Sequence, residues 1–144
     1  MSLDEQLIDA IDMWEPVLAF ELINEGANPN IIHPEYQETV FTILAKSTYC
    51  SPERLDDMLL FGADPNVRDK DGNTIMHYYS FDGSAEKIHI LMKYATRFQR
   101  NKKNETPYDL ANGQETMEYF KQYFEKLEAN TRIEGAPDVR KAQI

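Results

Sequence analysis

The sequence predicts an all-α fold of stacked, repeated helix pairs. Three observations carry that prediction. An apolar triplet with i, i+3, i+4 spacing occurs four times, at Ala19/Leu22/Ile23, Leu55/Met58/Leu59, Ile88/Leu91/Met92 and Phe120/Tyr123/Phe124. Successive triplets begin 36, 33 and 32 residues apart. Each triplet marks one face of a helix, and a recurrence of this length marks a stacked repeat array. The pentapeptides "GANPN" (residues 26–30) and "GADPN" (residues 62–66) each follow a triplet. Finally, Thr39, Thr74 and Thr106 open "TVFTILA", "TIMHYYS" and "TPYDLA", 14 to 16 residues ahead of the next triplet. That distance holds a short helix and a turn.

Taken in order, the elements justify themselves locally. "SLDEQLIDAIDMW" opens with Ser2 and Glu5 at capping-box spacing. Leu3, Leu7, Ala10, Ile11 and Trp14 form its apolar stripe, and Glu5, Asp9 and Asp12 lie opposite at helical spacing. Gly26 and Gly62 suit the left-handed residue that stops a helix. Each threonine is placed to cap free N–H groups, and Pro107 suits a first helical position. "VRDKDGN" carries the Asp71-Gly72 pair, a strong hairpin-turn signal. Helix pairs are expected near 3–25, 39–61, 74–95 and 106–127. Beyond them, residues 128–144 lose helical periodicity and read as a tail.

At these residues the chain resembles the ankyrin repeat family. "DKDGNTIMHYYSFDGSAEKIHILMKYA" follows that family's pattern best, with Asp69, Gly72, Thr74, His77 and Leu91 in register, and "TPYDLA" is similar to a final unit. The resemblance covers residues 3–127 and implies an ankyrin-repeat solenoid with units near 3–30, 31–66, 67–100 and 101–127. The chain departs from the family in five places. Val40 and Ile75 replace the proline of Thr-Pro, and Tyr79 stands at a small-residue position. Ala95 and "TRFQR" replace the third glycine and hairpin start, and "KSTYCSP" adds about two residues. What the resemblance implies for function is a non-enzymatic module that meets a protein partner on its hairpin fingers and first helices. Carried over by register, those surface positions are Tyr36, Arg68, Lys70, Asp71, Asn73, Arg100, Lys102, Lys103 and Glu105, with Phe81 and Asp82 after the third unit's first helix.

The chemistry-bearing residues offer little catalysis. The resemblance gives His77 a structural hydrogen-bonding role. His33 and His89 lie far from it in register, and with Cys50 as the one cysteine no zinc set is expected. Cys50 shows no neighbouring base to activate it. "DGSAEK" falls short of a phosphate loop, and Asp56 and Asp57 are helix neighbours that diverge rather than a dyad. No catalytic residue, metal or cofactor is expected.

Charge narrows the partner. Residues 1–64 hold 13 acids and 2 bases, and residues 65–144 hold 12 acids and 13 bases. The charges are −11 and +1, within a net −10. Such acidity argues against nucleic acid as the main ligand. No apolar run is long enough for a membrane span, and the N-terminus lacks the basic region of a secretory signal. The expected setting is cytoplasmic and the expected partner a basic protein. Glu5, Asp9 and Asp12 are candidates to meet it, or are only a solvated cap. In "YYSF" three aromatics cannot share one helix face, so Phe81, with Tyr78 near it, is expected to leave the core and anchor a partner. The favoured expectation, by analogy with small ankyrin proteins known in that role, is an acidic inhibitor or immunity-type protein that masks a basic partner such as a toxin. The alternatives are a scaffolding or host-directed adaptor and, remotely, an enzyme.

Overall fold

A computed structural model describes residues 1–94 and 96–134. Among these residues seven helices form: α1 (Leu3–Asp12), α2 (Pro16–Asn24), α3 (Val40–Ala45), α4 (Pro52–Leu60), α5 (Ile75–Asp82), α6 (Ala85–Leu91) and α7 (Gln114–Glu134). No strand forms among them, and the only bridge is an antiparallel one between Ile32 and Thr39. The fold class is all-α, as the triplets predict. The chain divides into two compact units, Met1–Val67 and a second beginning at Arg68. The charge boundary falls at the same place, because residues 65–67 carry no charge.

In the first unit, Ser2 Oγ accepts from Glu5 N–H at 3.1 Å while Ser2 N–H donates to Glu5 Oε1 at 3.4 Å. This capping box starts α1. Leu7, Ala10 and Ile11 are buried on its inner face. Trp14 is not, contrary to the stripe expected for it. The helix closes at Asp12 because Trp14 N–H donates to the Ile11 carbonyl (3.0 Å) and Glu15 N–H to that of Ala10 (2.7 Å). Trp14 therefore sits at φ 49°, half exposed, in a place that favours glycine. Such a conformation costs a non-glycine residue about 1–2 kcal/mol. Pro16 then opens α2, where its missing N–H is harmless.

The two pentapeptides are the same joint made twice. Gly26 (φ 118°) and Gly62 (φ 99°) end α2 and α4. Ala27 and Ala63 N–H groups reach back to the Leu22 and Met58 carbonyls at 2.9 and 3.0 Å. Asn28 and Asp64 then accept, through side-chain oxygens, from the N–H two residues on, at 2.9 and 2.8 Å. Asn30 stitches the first joint to the second. Its amide donates to the Gly62 carbonyl (2.9 Å) and its Oδ1 accepts from Asp64 N–H (2.8 Å). Between the joints, Thr39 caps α3 through Thr42 N–H at 3.1 Å, and Ser51 caps α4 through Arg54 N–H at 3.2 Å. Ala19, Leu22, Ile23, Leu55, Met58 and Leu59 are all buried, with Phe41 and Leu44 between them. Burial of each large side chain contributes about 1.5–3 kcal/mol.

In the second unit α5 packs on α6 and α6 on α7. Ile88, Leu91, Phe120 and Phe124 are buried, while Met92 and Tyr123 are half-buried. Tyr79 is buried too, with Lys87 Nζ 5.2 Å from its ring centroid. Phe98 occupies the place that Pro65 holds one repeat earlier. It is buried against Phe120, Tyr123 and Phe124, with ring centroids 5.2–5.9 Å away. An aromatic thus fills the joint that "TRFQR" leaves without proline.

Two more expectations need correction. "TPYDLA" makes a single turn rather than a helix. Thr106 and Asp109 cap each other reciprocally at 2.9 and 3.2 Å. Asn112 then leaves the turn to donate to the Ser80 carbonyl, and Gly113 (φ 88°) redirects the chain. At the other end, α7 runs on to Glu134, past the expected limit near 127. The remainder of the expected tail, residues 135–144, lies outside the described residues, as does Ala95.

Candidate functional site

Three tight loops share one construction. In the loop 69–73, Asp69 N–H donates to the Asn73 carbonyl, and Asp69 Oδ1 accepts from Asp71 and Asn73 N–H, all at 2.9 Å. In the loop 101–105, Asn101 N–H donates to the Glu105 carbonyl at 2.9 Å. Its Oδ1 accepts from Lys103 and Glu105 N–H at 3.0 and 2.9 Å. Gly72 (φ 79°) and Asn104 (φ 65°) take the same left-handed position. In the first unit His33 plays the part of Asp69. Its Nδ1 accepts from Glu35 and Tyr36 N–H at 3.1 and 3.3 Å, and Gln37 (φ 56°) takes the left-handed place.

The second unit presents two of these fingers side by side. Lys102 N–H donates to the Asp71 carbonyl at 2.9 Å. Arg68 braces the pair, reaching the Gly72 and Arg100 carbonyls at 3.3 and 2.9 Å. Arg100 reaches the Asn104 carbonyl at 3.0 Å, and Asn101 donates to Asn73 Oδ1 at 2.9 Å. Arg68, Arg100 and Asn73 are therefore struts as well as surface residues. Lys70, Asp71, Lys102 and Lys103 stay exposed at the tips, without an ion pair among the described residues.

Beside the fingers, Phe81 is 64% exposed. The Tyr78 hydroxyl donates to Asp69 Oδ2, which fixes its ring next to Phe81. Together with His77, Asn73 and Leu110 they line a depression of about 140 Å³. A second, of about 330 Å³, is lined by the finger residues and shares Asn73 and Leu110 with the first. Asp82 is exposed at the end of α5. His77 itself is buried. Its Nδ1 accepts from Thr74 N–H at 3.0 Å and its Nε2–H donates to the Glu105 carbonyl at 2.9 Å. Burial holds its pKa below the ordinary imidazole value, with the Glu105 carbonyl opposing that shift.

The first unit is different in character. Glu5, Asp9 and Asp12 are exposed along α1. Glu5 closes the capping box, and Asp12 Oδ1 accepts from buried His33 Nε2–H at 2.6 Å. The Asp9 carboxylate keeps no partner among the described residues. Tyr36 is half exposed and stacks on His33 with centroids 4.5 Å apart. Both bases of the unit are engaged internally. Lys46 Nζ pairs with Glu38 at 2.6 Å, and Arg54 donates to the Tyr49 carbonyl at 2.9 Å and lies over the Phe20 ring.

Among the described residues no cluster of three His, Cys, Asp or Glu could hold a metal. None of the helices among the described residues is long and apolar enough to cross a membrane. Sequence reasoning missed the roles of Asn101 and His33. The signal for Asn101 was present, since "NKKNE" aligns with "DKDGN" at a shift of 32 residues. Nothing local marks a histidine as a turn residue.

No family model matches the sequence, and no curated protein matches it. Among solved structures, the chain is similar to the ankyrin repeat domain of Bcl-3, described as a unique member of the IkappaB protein family. The identity is 17% and the TM-score 0.65, over 80% of this chain and 50% of that one. The chain thus spans about half the length of the domain it matches. The match, the repeated helix pairs and the repeated fingers agree: the fold is that of an ankyrin repeat domain.

Proposed function

We propose that this chain is a protein-recognition module whose first unit receives a basic protein partner. One observation carries the reading. The first unit holds 13 acids against 2 bases, and both bases are spent on internal contacts. Its field therefore faces outward uncompensated, and such fields steer oppositely charged partners. The role that fits best is an inhibitor or immunity-type protein masking a basic partner, with Asp9 and Glu5 as primary contacts. A second reading, a scaffolding adaptor, draws on the opposite chemistry of the second unit. There, basic finger tips adjoin the exposed Phe81.

The test is comparative capture from an extract of the source cells. Immobilised parent protein should retain a basic protein that Glu5→Gln/Asp9→Asn protein retains poorly at low salt. Retention of acidic proteins only, or equal retention by parent and variant, would overturn the reading. Loss on Phe81→Ala instead would favour the adaptor.

A further inference from the structure

The first unit also exposes apolar side chains around the turn between α1 and α2. Met13 and Trp14 form the turn between α1 and α2, and Val17 and Leu18 follow in the first turn of α2; all four are 40–71% exposed. Tyr49, in the α3–α4 loop, is half exposed and meets Trp14 edge-on with centroids 6.5 Å apart. Trp14 is not there by default. Trp14 holds a left-handed backbone conformation that glycine would take without strain, and the equivalent place after α5 is indeed Gly83. Tyr49 is held by its own carbonyl, which accepts from Arg54. A strained, exposed tryptophan is an observation from which function is properly inferred, and aromatics of this kind anchor interfaces.

The margins define what fits. Glu15 adjoins Trp14, and Glu21 lies one helical turn beyond Val17 and Leu18. Both are exposed, and neither has an ion pair among the described residues. An apolar strip edged by Glu15 and Glu21, with Arg54 held at the Tyr49 carbonyl, matches an amphipathic helix that sets lysines or arginines against the two carboxylates. We infer that Trp14, Tyr49, Val17 and Leu18 form a docking strip for a basic amphipathic segment of a partner protein. The inference rests on the reading that the first unit receives a basic partner, and adds where the apolar part of that contact lies.

Trp14 is the chain's single tryptophan, so its emission reports on the strip directly. The probe is a synthetic Leu/Lys peptide of amphipathic helical pattern, with oligolysine and a Leu/Glu peptide as comparisons. The Leu/Lys peptide should blue-shift Trp14 emission and bind at least about tenfold tighter than oligolysine, a difference of about 1.4 kcal/mol. Measured through a label on the peptide, Trp14→Gly should erase that advantage while melting no lower than the parent. Tyr49→Ser should reduce the advantage without touching the strained turn. If neither cationic peptide binds, the basic-partner reading itself fails. If both bind equally and the two substitutions change nothing, the strip alone fails. An equal blue shift with the Leu/Glu peptide, or with lipid vesicles in its place, would also overturn the proposal.

Discussion

Gly72→Ala tests how the two fingers of the second unit are held together. Gly72 has φ 79°, which alone costs an alanine about 1–2 kcal/mol. A Cβ there would also lie 2.9 Å from the backbone nitrogen of Lys102, 3.1 Å from Asn101 Cα and 2.9 Å from an Arg68 guanidinium nitrogen. Arg68 can swing aside, but the Lys102 and Asn101 backbone cannot move without lengthening the Lys102–Asp71 hydrogen bond. Losing that bond adds about 0.5–1.5 kcal/mol, for a total of about 1.5–3.5 kcal/mol. Gly62→Ala is the control. Its φ is 99°, but nothing lies within 4 Å of the added Cβ, so only the conformational cost of about 1–2 kcal/mol remains. Urea unfolding followed by circular dichroism measures both. Gly72→Ala should be the more damaging by about 0.5–1.5 kcal/mol. Equal losses would refute the claim that adjacent finger backbones are in packed contact.

Two further predictions concern single side chains. Because burial lowers the pKa of His77, the unfolded chain binds more protons than the folded one between the lowered value and 6.5, so stability rises with pH across that window. The His77 contribution should be complete above pH 6.5 and lost as pH falls below it. Urea midpoints for parent and His77→Gln should therefore converge as pH drops from about 7.5 to 5.5; parallel curves would exclude His77 as the source. Phe81→Ala removes a ring that is already 64% exposed, so its stability should change by less than about 0.5 kcal/mol. Binding of a partner that uses the second unit should weaken by about 1 kcal/mol or more. A large stability loss would show that Phe81 is a packing residue.

The repeat architecture was legible because its signals are local and periodic. Leu55, Met58 and Leu59 sit on one face at helical spacing, and Gly26 and Gly62 stand where only a left-handed residue works. The exposed Phe81 followed from counting how many aromatics one helix face can hide. Three features were not legible, for distinct physical reasons. Trp14 reads as the last member of an apolar stripe, yet the turn into Pro16 carries it off the helix. "TPYDLA" carries a cap and a proline like a helix start. Its length is nonetheless set by Asn112, whose partners, Ser80 and Phe81, are distant in sequence. The part played by His33 depends on backbone N–H groups and on Asp12, which only the folded chain brings together. Asp12 thereby changed meaning, from one of three free charges to the partner of a buried imidazole.

Recruitment of a basic protein by the uncompensated carboxylates of the first unit has a kinetic signature. The most direct measurement is the association rate of the captured partner at low and high ionic strength, for parent and for Glu5→Gln/Asp9→Asn. Asp12 is left intact because it holds His33. The parent rate should fall steeply as salt rises, and the variant should associate more slowly with a flatter salt dependence. Rates that are identical for the two proteins at both ionic strengths would contradict that recruitment.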